Sequence, residues 1–254
     1  MALVRCDFFS EVLGLSTSMT VLLPEGPAAR TPAQASPGHP TLYLLHGLSD
    51  DDTVWVRRTS LERYVEPLGL AVVMPQAHRS FYMDETRGLR YWTFLTEELP
   101  AVAQGFFRLS QRREDTFVAG VSMGGYGALK WALRHPGRFA AAASLSGALD
   151  VVGLQRTRAP EYLDVDHRAF DGVSVAGTPD DLLTLVAGAD PATLPDLLVT
   201  CGDDDDLYAD NLRFAARAQA RGLPLTTRFG PGAHDWAHWD PAIRTVLDWL
   251  PLGR

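Results

Sequence analysis

Hydrophobic positions fall into short uninterrupted runs, each followed by a Gly- or Pro-containing loop and then a longer stretch with an apolar face at helical spacing. That alternation predicts an α/β sandwich whose parallel strands are joined by crossover helices. Thr41 to Leu45, Leu70 to Met74, Thr116 to Val121, Ala140 to Leu145 and Leu197 to Cys201 are continuous apolar runs, as strands covered on both faces require, and Leu225 to Phe229 supplies the last strand. Leu3 to Phe9 and Ser18 to Leu23 alternate instead, which predicts an antiparallel pair at the sheet edge with one solvated face. Pro24, Pro27, Pro32, Pro37 and Pro40 keep the next stretch out of the sheet, as a long exposed loop. Helices are predicted over Leu95 to Leu109, Met123 to Arg134, Pro179 to Ala187, Leu207 to Arg221 and about His234 to Leu250. Asp150 to Gly177 has mixed charge and no period, and fits a short cap insertion over a site. No internal repeat or low-complexity tail divides the chain, so residues 1–254 are expected to form one domain.

Composition narrows the function. The 254 residues are 46% apolar and 21% charged, enough for a large core. Their formal charge of -8 argues against a nucleic acid or an acidic membrane held by a general basic surface. Arg, Asp, Glu, Gly or Pro interrupts every apolar run before it reaches the length of about 20 residues that a spanning helix needs. Met1 to Ser10 carries Arg5 and Asp7 and lacks the pattern of a secretory signal, so a cytoplasmic location is expected. Cys6 and Cys201 are far apart and form neither a disulfide framework nor metal-ligand spacing.

Gly120-Val121-Ser122-Met123-Gly124 matches Gly-x-Ser-x-Gly, a pattern that arises by chance about 0.1 times in such a chain. Its setting adds weight, because a buried strand precedes it and a helix follows, giving the sharp turn that exposes a nucleophilic serine. A serine there also sits at a helix N-terminus, where free N–H groups favour the negative charge of an acyl-transfer intermediate. A plain Gly-rich connection is the structural alternative. A phosphate-cradling loop lacks its Gly-Lys-Ser/Thr ending.

A serine hydroxyl needs an imidazole to accept its proton and a carboxylate to orient that imidazole. In α/β-hydrolases the order is Ser, acid, His, with the acid after a late strand and the His after the last one. Gly202-Asp203-Asp204-Asp205-Asp206 and Gly230-Pro231-Gly232-Ala233-His234 occupy those two places. His238, one turn later, competes with His234. Within the aspartate run one member is free to cap the helix near Leu207, Asp206 being best placed, and a calcium loop would need a Gly and a Glu that are missing.

Several further segments join this pattern: Leu44-Leu45-His46-Gly47-Leu48, Phe94 with Glu97-Glu98-Leu99-Pro100, Arg113-Glu114-Asp115, Ala119 to Gly127, Cys201-Gly202 with Leu207-Tyr208, and His234-Asp235-Trp236. With them, most of the chain resembles the tributyrin-esterase-like branch of the esterase D family, relatives of S-formylglutathione hydrolases and mycolyl transferases. The resemblance implies an α/β-hydrolase fold: a mostly parallel central sheet with helices on both faces, an antiparallel N-terminal edge hairpin and a short cap. It implies Ser122 as nucleophile, Asp205 as acid, three residues after the Gly, and His234 as base. The backbone N–H groups of Leu48 and Met123 would form the oxyanion hole, and His46 would shape the oxyanion loop. Trp55, Phe81, Tyr82, Trp92 and Trp236 are placed in loops at the C-terminal edge of the sheet, where they either line the acyl or alcohol pocket or pack as ordinary aromatics. Asp50-Asp51-Asp52, if it faces the site, disfavours anionic substrates.

The expected activity is hydrolysis of short-chain acyl esters through an acyl-enzyme, with a small-molecule ester as partner and no metal or organic cofactor. S-formylglutathione hydrolases usually carry Thr-Cys where this chain has Ser49-Asp50. An acyltransferase would use the same triad, and a carbohydrate acetyl- or feruloyl-esterase the same fold. A non-catalytic binding module fits poorly with an intact Ser, Asp and His. Relatives often assemble, so a homo-oligomer is a possible state.

Overall fold

A computed structural model describes residues 1–25, 38–157 and 166–253 of the chain. Most of the Pro-rich stretch after Pro24, and 158–165 within the expected cap, lie outside the described residues. Eight strands form one sheet: β1 (Ala2–Ser10), β2 (Leu15–Leu23), β3 (Thr41–Leu45), β4 (Ala71–Pro75), β5 (Thr116–Val121), β6 (Ala141–Leu145), β7 (Asp196–Gly202) and β8 (Leu225–Gly230). Their spatial order is β1-β2-β4-β3-β5-β6-β7-β8. β1 pairs antiparallel with β2, β2 antiparallel with β4, and all later pairs are parallel.

The helices are α1 (Val54–Arg58), α2 (Leu61–Val65), α3 (Leu99–Phe106), α4 (Met123–Arg134), α5 (Val151–Thr157), α6 (Leu182–Gly188), α7 (Tyr208–Ala220) and α8 (Trp236–Trp249). They cover both faces of the sheet. Alternate residues of β3 enter opposite cores: Tyr43 and Leu45 pack with Tyr126 and Trp131 of α4, whereas Leu42 and Leu44 pack with Trp55, Ile243 and Val246 from α1 and α8. Burial on both sides explains why β3 to β6 read as unbroken apolar runs.

Three boundaries differ from those periodicity predicts, two of them because of capping. Asp181 accepts hydrogen bonds from Leu183 and Thr184 N–H and starts α6 at Leu182, three residues after Pro179. Asp235 accepts from His238 N–H, which starts α8 at Trp236 and leaves His234 in the preceding loop. The helix expected from Leu95 begins earlier, as the turn Tyr91–Thr93 and a π-helical segment Phe94–Glu98, before α3. Glu98 at that junction accepts from the Ser10 hydroxyl and from Glu11 N–H, tying it to the end of β1. One expectation is corrected: β1 has an alternating solvated face, but β2, flanked by β1 and β4, is buried through most of its length. Of the expected cap, 151–157 is the helix α5 and Asp166–Phe170 a π-helical turn.

Candidate active site

β5 runs into α4 with one residue, Ser122, at the turn, and its backbone is forced to φ 53°, ψ -115°. A non-Gly residue in that region is strained and is held by its surroundings. Ser122 N–H donates to Leu145 O at 2.9 Å, and Ser122 O accepts from Tyr126 and Ala148 N–H, both at 3.1 Å. The flanking glycines are required by contact. A Cβ on Gly120 would sit 2.3 Å from Gly124 O, and one on Gly124 would sit 2.4 Å from Leu45 O, both backbone atoms that cannot yield.

The loop between β8 and α8 brings His234 over the serine. Its Nε2 lies 3.1 Å from Ser122 Oγ, and its Nδ1 lies 2.9 and 3.0 Å from the two carboxylate oxygens of Asp205. The Trp239 indole meets the imidazole edge to face, with ring centroids 4.8 Å apart. Asp205 follows β7, and its side chain is fully buried, while Asp203, Asp204 and Asp206 are exposed. The chain therefore separates four consecutive aspartates by direction. Burial by itself would raise the Asp205 pKa, but the hydrogen bond and charge of His234, the Leu207 N–H at 2.8 Å and the Ser146 hydroxyl together hold it below the ordinary carboxylate value. That Leu207 bond closes a turn just ahead of α7, whose N-cap is Leu207 and has no side-chain capping bond, so the helix cap expected of Asp206 is not formed.

Ser146 was not marked by the sequence pattern. It sits after β6 at φ 48°, is buried, and accepts from Trp239 Nε1 at 3.0 Å while supporting Asp205. A serine just past the C-terminal end of the strand beside β5 was the available signal. The His238 ring instead stands against Gly232, with its buried Nε2 meeting no hydrogen-bond partner, so of the two histidines it is His234 that contacts Ser122 and Asp205.

On the other side of Ser122, a Cβ on Gly47 would lie 3.7 Å from Ser122 Cβ and 3.0 Å from Asp50 Oδ2, so the His46-Gly47-Leu48 loop runs along Ser122. Both ring nitrogens of His46 are occupied: Nδ1–H donates to Gly47 O at 2.7 Å and Nε2 accepts from Ala77 N–H at 3.0 Å. Burial also lowers its pKa, which keeps the ring neutral. Tyr82, at φ 48°, donates its hydroxyl to His46 O at 2.9 Å, and its own carbonyl accepts from Lys130 Nζ at 2.7 Å. Met123 N–H is the first of α4 and has no acceptor within the helix. Leu48 lies in the turn closed by Asp50 N–H donating to Gly47 O.

A cavity of about 440 Å³ opens beside Leu48, lined also by Ser49, Asp50, His78, Arg79 and Arg168. Of the three neighbouring aspartates only Asp50 meets the condition of facing the site. Asp52 is buried and accepts from Ser18 and Thr20, Asp51 binds Thr53 and Arg57, and Asp50 alone faces the cavity. Two tryptophans expected in pocket loops are placed otherwise. Trp55 belongs to α1, is fully buried and donates its indole N–H to Leu45 O at 3.2 Å. Trp92 lies under Lys130 and Arg134, two to three turns along α4 from Ser122. Trp236, half-buried at the start of α8 and edge-on to Trp239, remains near His234. Phe81 and Tyr82 are also buried. Among the described residues no group of three His, Cys, Asp or Glu side chains is placed to hold a metal ion, and no helix is long and apolar enough to cross a membrane.

A sequence model of the family described as "Putative esterase" matches residues 10–250. An acetyl esterase of Caldicellulosiruptor saccharolyticus is 28% identical over 261 residues, covering 98% of both chains. Among solved structures, a fluorophosphonate-binding serine hydrolase of Staphylococcus aureus with substrate bound is 36% identical, with a TM-score of 0.90 and 98% of each chain covered. An S-formylglutathione hydrolase from the same organism is 35% identical, with a TM-score of 0.87 and the same coverage. The chain belongs to this esterase family and is a serine hydrolase of the α/β-hydrolase fold that acts on ester bonds.

Proposed function

We propose that the protein is a carboxylesterase for short-chain acyl esters, with Ser122 as nucleophile, His234 as general base and acid, and Asp205 as the carboxylate that orients it. The observation that carries this reading is the unbroken line from Ser122 Oγ to His234 Nε2 at 3.1 Å and from His234 Nδ1 to Asp205 at 2.9 Å. Ser122 Oγ attacks the acyl carbonyl carbon while His234 Nε2 takes the hydroxyl proton. The N–H groups of Leu48 and Met123 hold the oxyanion. The C–O bond to the alcohol then breaks, the alcohol leaves with the proton from His234, and water attacks the acyl-enzyme by the same route. Trp236 and the cavity beside Leu48 contribute to the substrate pocket, whereas the positions of Trp55 and Trp92 favour a packing role. We further read the chain as one hydrolase domain located in the cytoplasm.

A second reading, thioester hydrolysis of the S-formylglutathione type, is favoured by the relative at 35% identity. The test is the initial rate across p-nitrophenyl esters from acetate to palmitate, beside S-formylglutathione, with Ser122→Ala as blank. Activity that peaks at short chains and vanishes in the variant is expected. Activity that survives in Ser122→Ala refutes the nucleophile, and S-formylglutathione turning over faster than every ester selects the second reading.

A further inference from the structure

β1 pairs with β2 through nine consecutive residue pairs without a bulge. Among the described residues no strand pairs with its other edge. Natural edge strands are commonly blunted by Pro, by Lys or by a bulge, because a free row of backbone N–H and C=O groups recruits other strands. Ala2–Ser10 contains no Pro, Lys or bulge, and its two charges, Arg5 and Asp7, are of opposite sign and so do not repel a second copy paired in the right register. It also presents apolar side chains to solvent: Leu3 is 55% exposed and Phe9 56% exposed, and Phe106, 59% exposed, stands beside Phe8 at the same edge. These are three of the five large apolar side chains exposed among the described residues, so the apolar surface is concentrated here.

We propose that this edge pairs antiparallel with β1 of a second copy of the chain, about a two-fold axis at Cys6, joining two sheets into one. The side chains themselves select this occupant. Leu3, Arg5, Asp7 and Phe9 share the exposed face of the strand. An axis at Cys6 sets Arg5 opposite the partner's Asp7 and Leu3 opposite the partner's Phe9, each twice by symmetry. Directly opposed side chains in such a pair stand about 5 Å apart and interact. Moving the axis by one residue sets Arg5 against the partner's Arg5, or Asp7 against the partner's Asp7, and two like charges then face each other at the centre. On the half-buried face the same register places Val4 opposite the partner's Phe8, with Phe106 beside Phe8. Arg5 is already held on this face, 3.5 Å from Asp7 and 3.7 Å from Asp52 within its own chain.

Sedimentation equilibrium of the full chain tests the proposal. The wild type should be a dimer, and Arg5→Asp and Asp7→Arg should each weaken association roughly tenfold or more by opposing like charges. The double variant Arg5→Asp/Asp7→Arg should restore the dimer, and mixing the two single variants should give a heterodimer. Hydrolysis of p-nitrophenyl acetate by every variant checks that each is folded. A monomeric wild type, a dimer indifferent to both single changes, or a double variant that fails to recover overturns the pairing. A second measurement needs no charge change. Cys6 lies opposite its own copy, so a short bis-maleimide should link two chains in the wild type and not in Cys6→Ser. No crosslink, when a mono-maleimide does label Cys6, also overturns it.

Discussion

Asp205→Asn is the sharpest perturbation of the proposed machinery, because Asn keeps the shape and removes the charge. The Asp205 carboxylate lies 2.9 Å from His234 Nδ1. When the imidazole takes the serine proton, the two charges are centred about 4 Å apart, which at an effective dielectric of about 20 is worth about 4 kcal/mol. Losing that term slows the step roughly 10³-fold. The amide adds a second penalty: its NH₂ can turn toward Nδ1 and favour the tautomer that leaves Nε2 protonated and unable to accept from Ser122, so a fall of roughly 10³ to 10⁴ is expected. The fold should survive, since the amide oxygen can still accept from Leu207 N–H and a buried charge has been removed. Asp203→Asn, Asp204→Asn and Asp206→Asn alter exposed side chains, and each should change kcat/KM by about twofold or less. The assay is kcat/KM on p-nitrophenyl acetate for the four variants, with thermal melting of each. Equal losses across the run, or an Asp205→Asn enzyme within tenfold of wild type, would refute the assignment.

Ser122→Ala and His234→Ala should each remove several orders of magnitude of turnover, and the double variant should be little worse than either, because the groups act as a unit; additive losses would argue against the assigned roles. Asp210 has its pKa raised to about 6, chiefly by burial, with Arg213 opposing and Asp150 adding. The folded state therefore keeps this proton after the unfolded chain has released it, so wild-type stability should fall by roughly 1–3 kcal/mol, the lower end allowing for solvent screening, as pH rises from about 4 to above 6. Urea melts of Asp210→Asn against pH should lack that fall, and identical pH curves would contradict it. Tyr82→Phe removes the hydroxyl that donates to the buried His46 carbonyl. It should cost about 1–3 kcal/mol of stability and lower kcat more than it raises KM, as the loop carrying Leu48 loosens; unchanged melting and kinetics would show that the bond supports nothing.

Much of this molecule is legible in its sequence. Strands covered on both faces are largely apolar, so β3 to β7 stand out as runs, and the order Ser122, aspartate run, His234 follows from strand ends that local pattern reveals. Where the pattern was silent, the reason is local. α1 and α2 have five residues each, too few for a helical period to emerge. The true start of α8 depends on one hydrogen bond, from His238 N–H to Asp235. Alternation in β2 suggested a solvated face that its two neighbouring strands and the packing above them remove.

The order of the candidate residues, the glycines beside Ser122 and the sheet that carries them are written in the sequence, because each rests on neighbours along the chain. Which aspartate faces His234, that Ser146 and Tyr82 brace the site, and that Trp55 and Trp92 turn into packed surroundings were decided by the tertiary structure. Those outcomes depend on side chains brought together from distant segments. Four adjacent aspartates are chemically identical in sequence, and they become different when burial and the approach of one imidazole act on one of them.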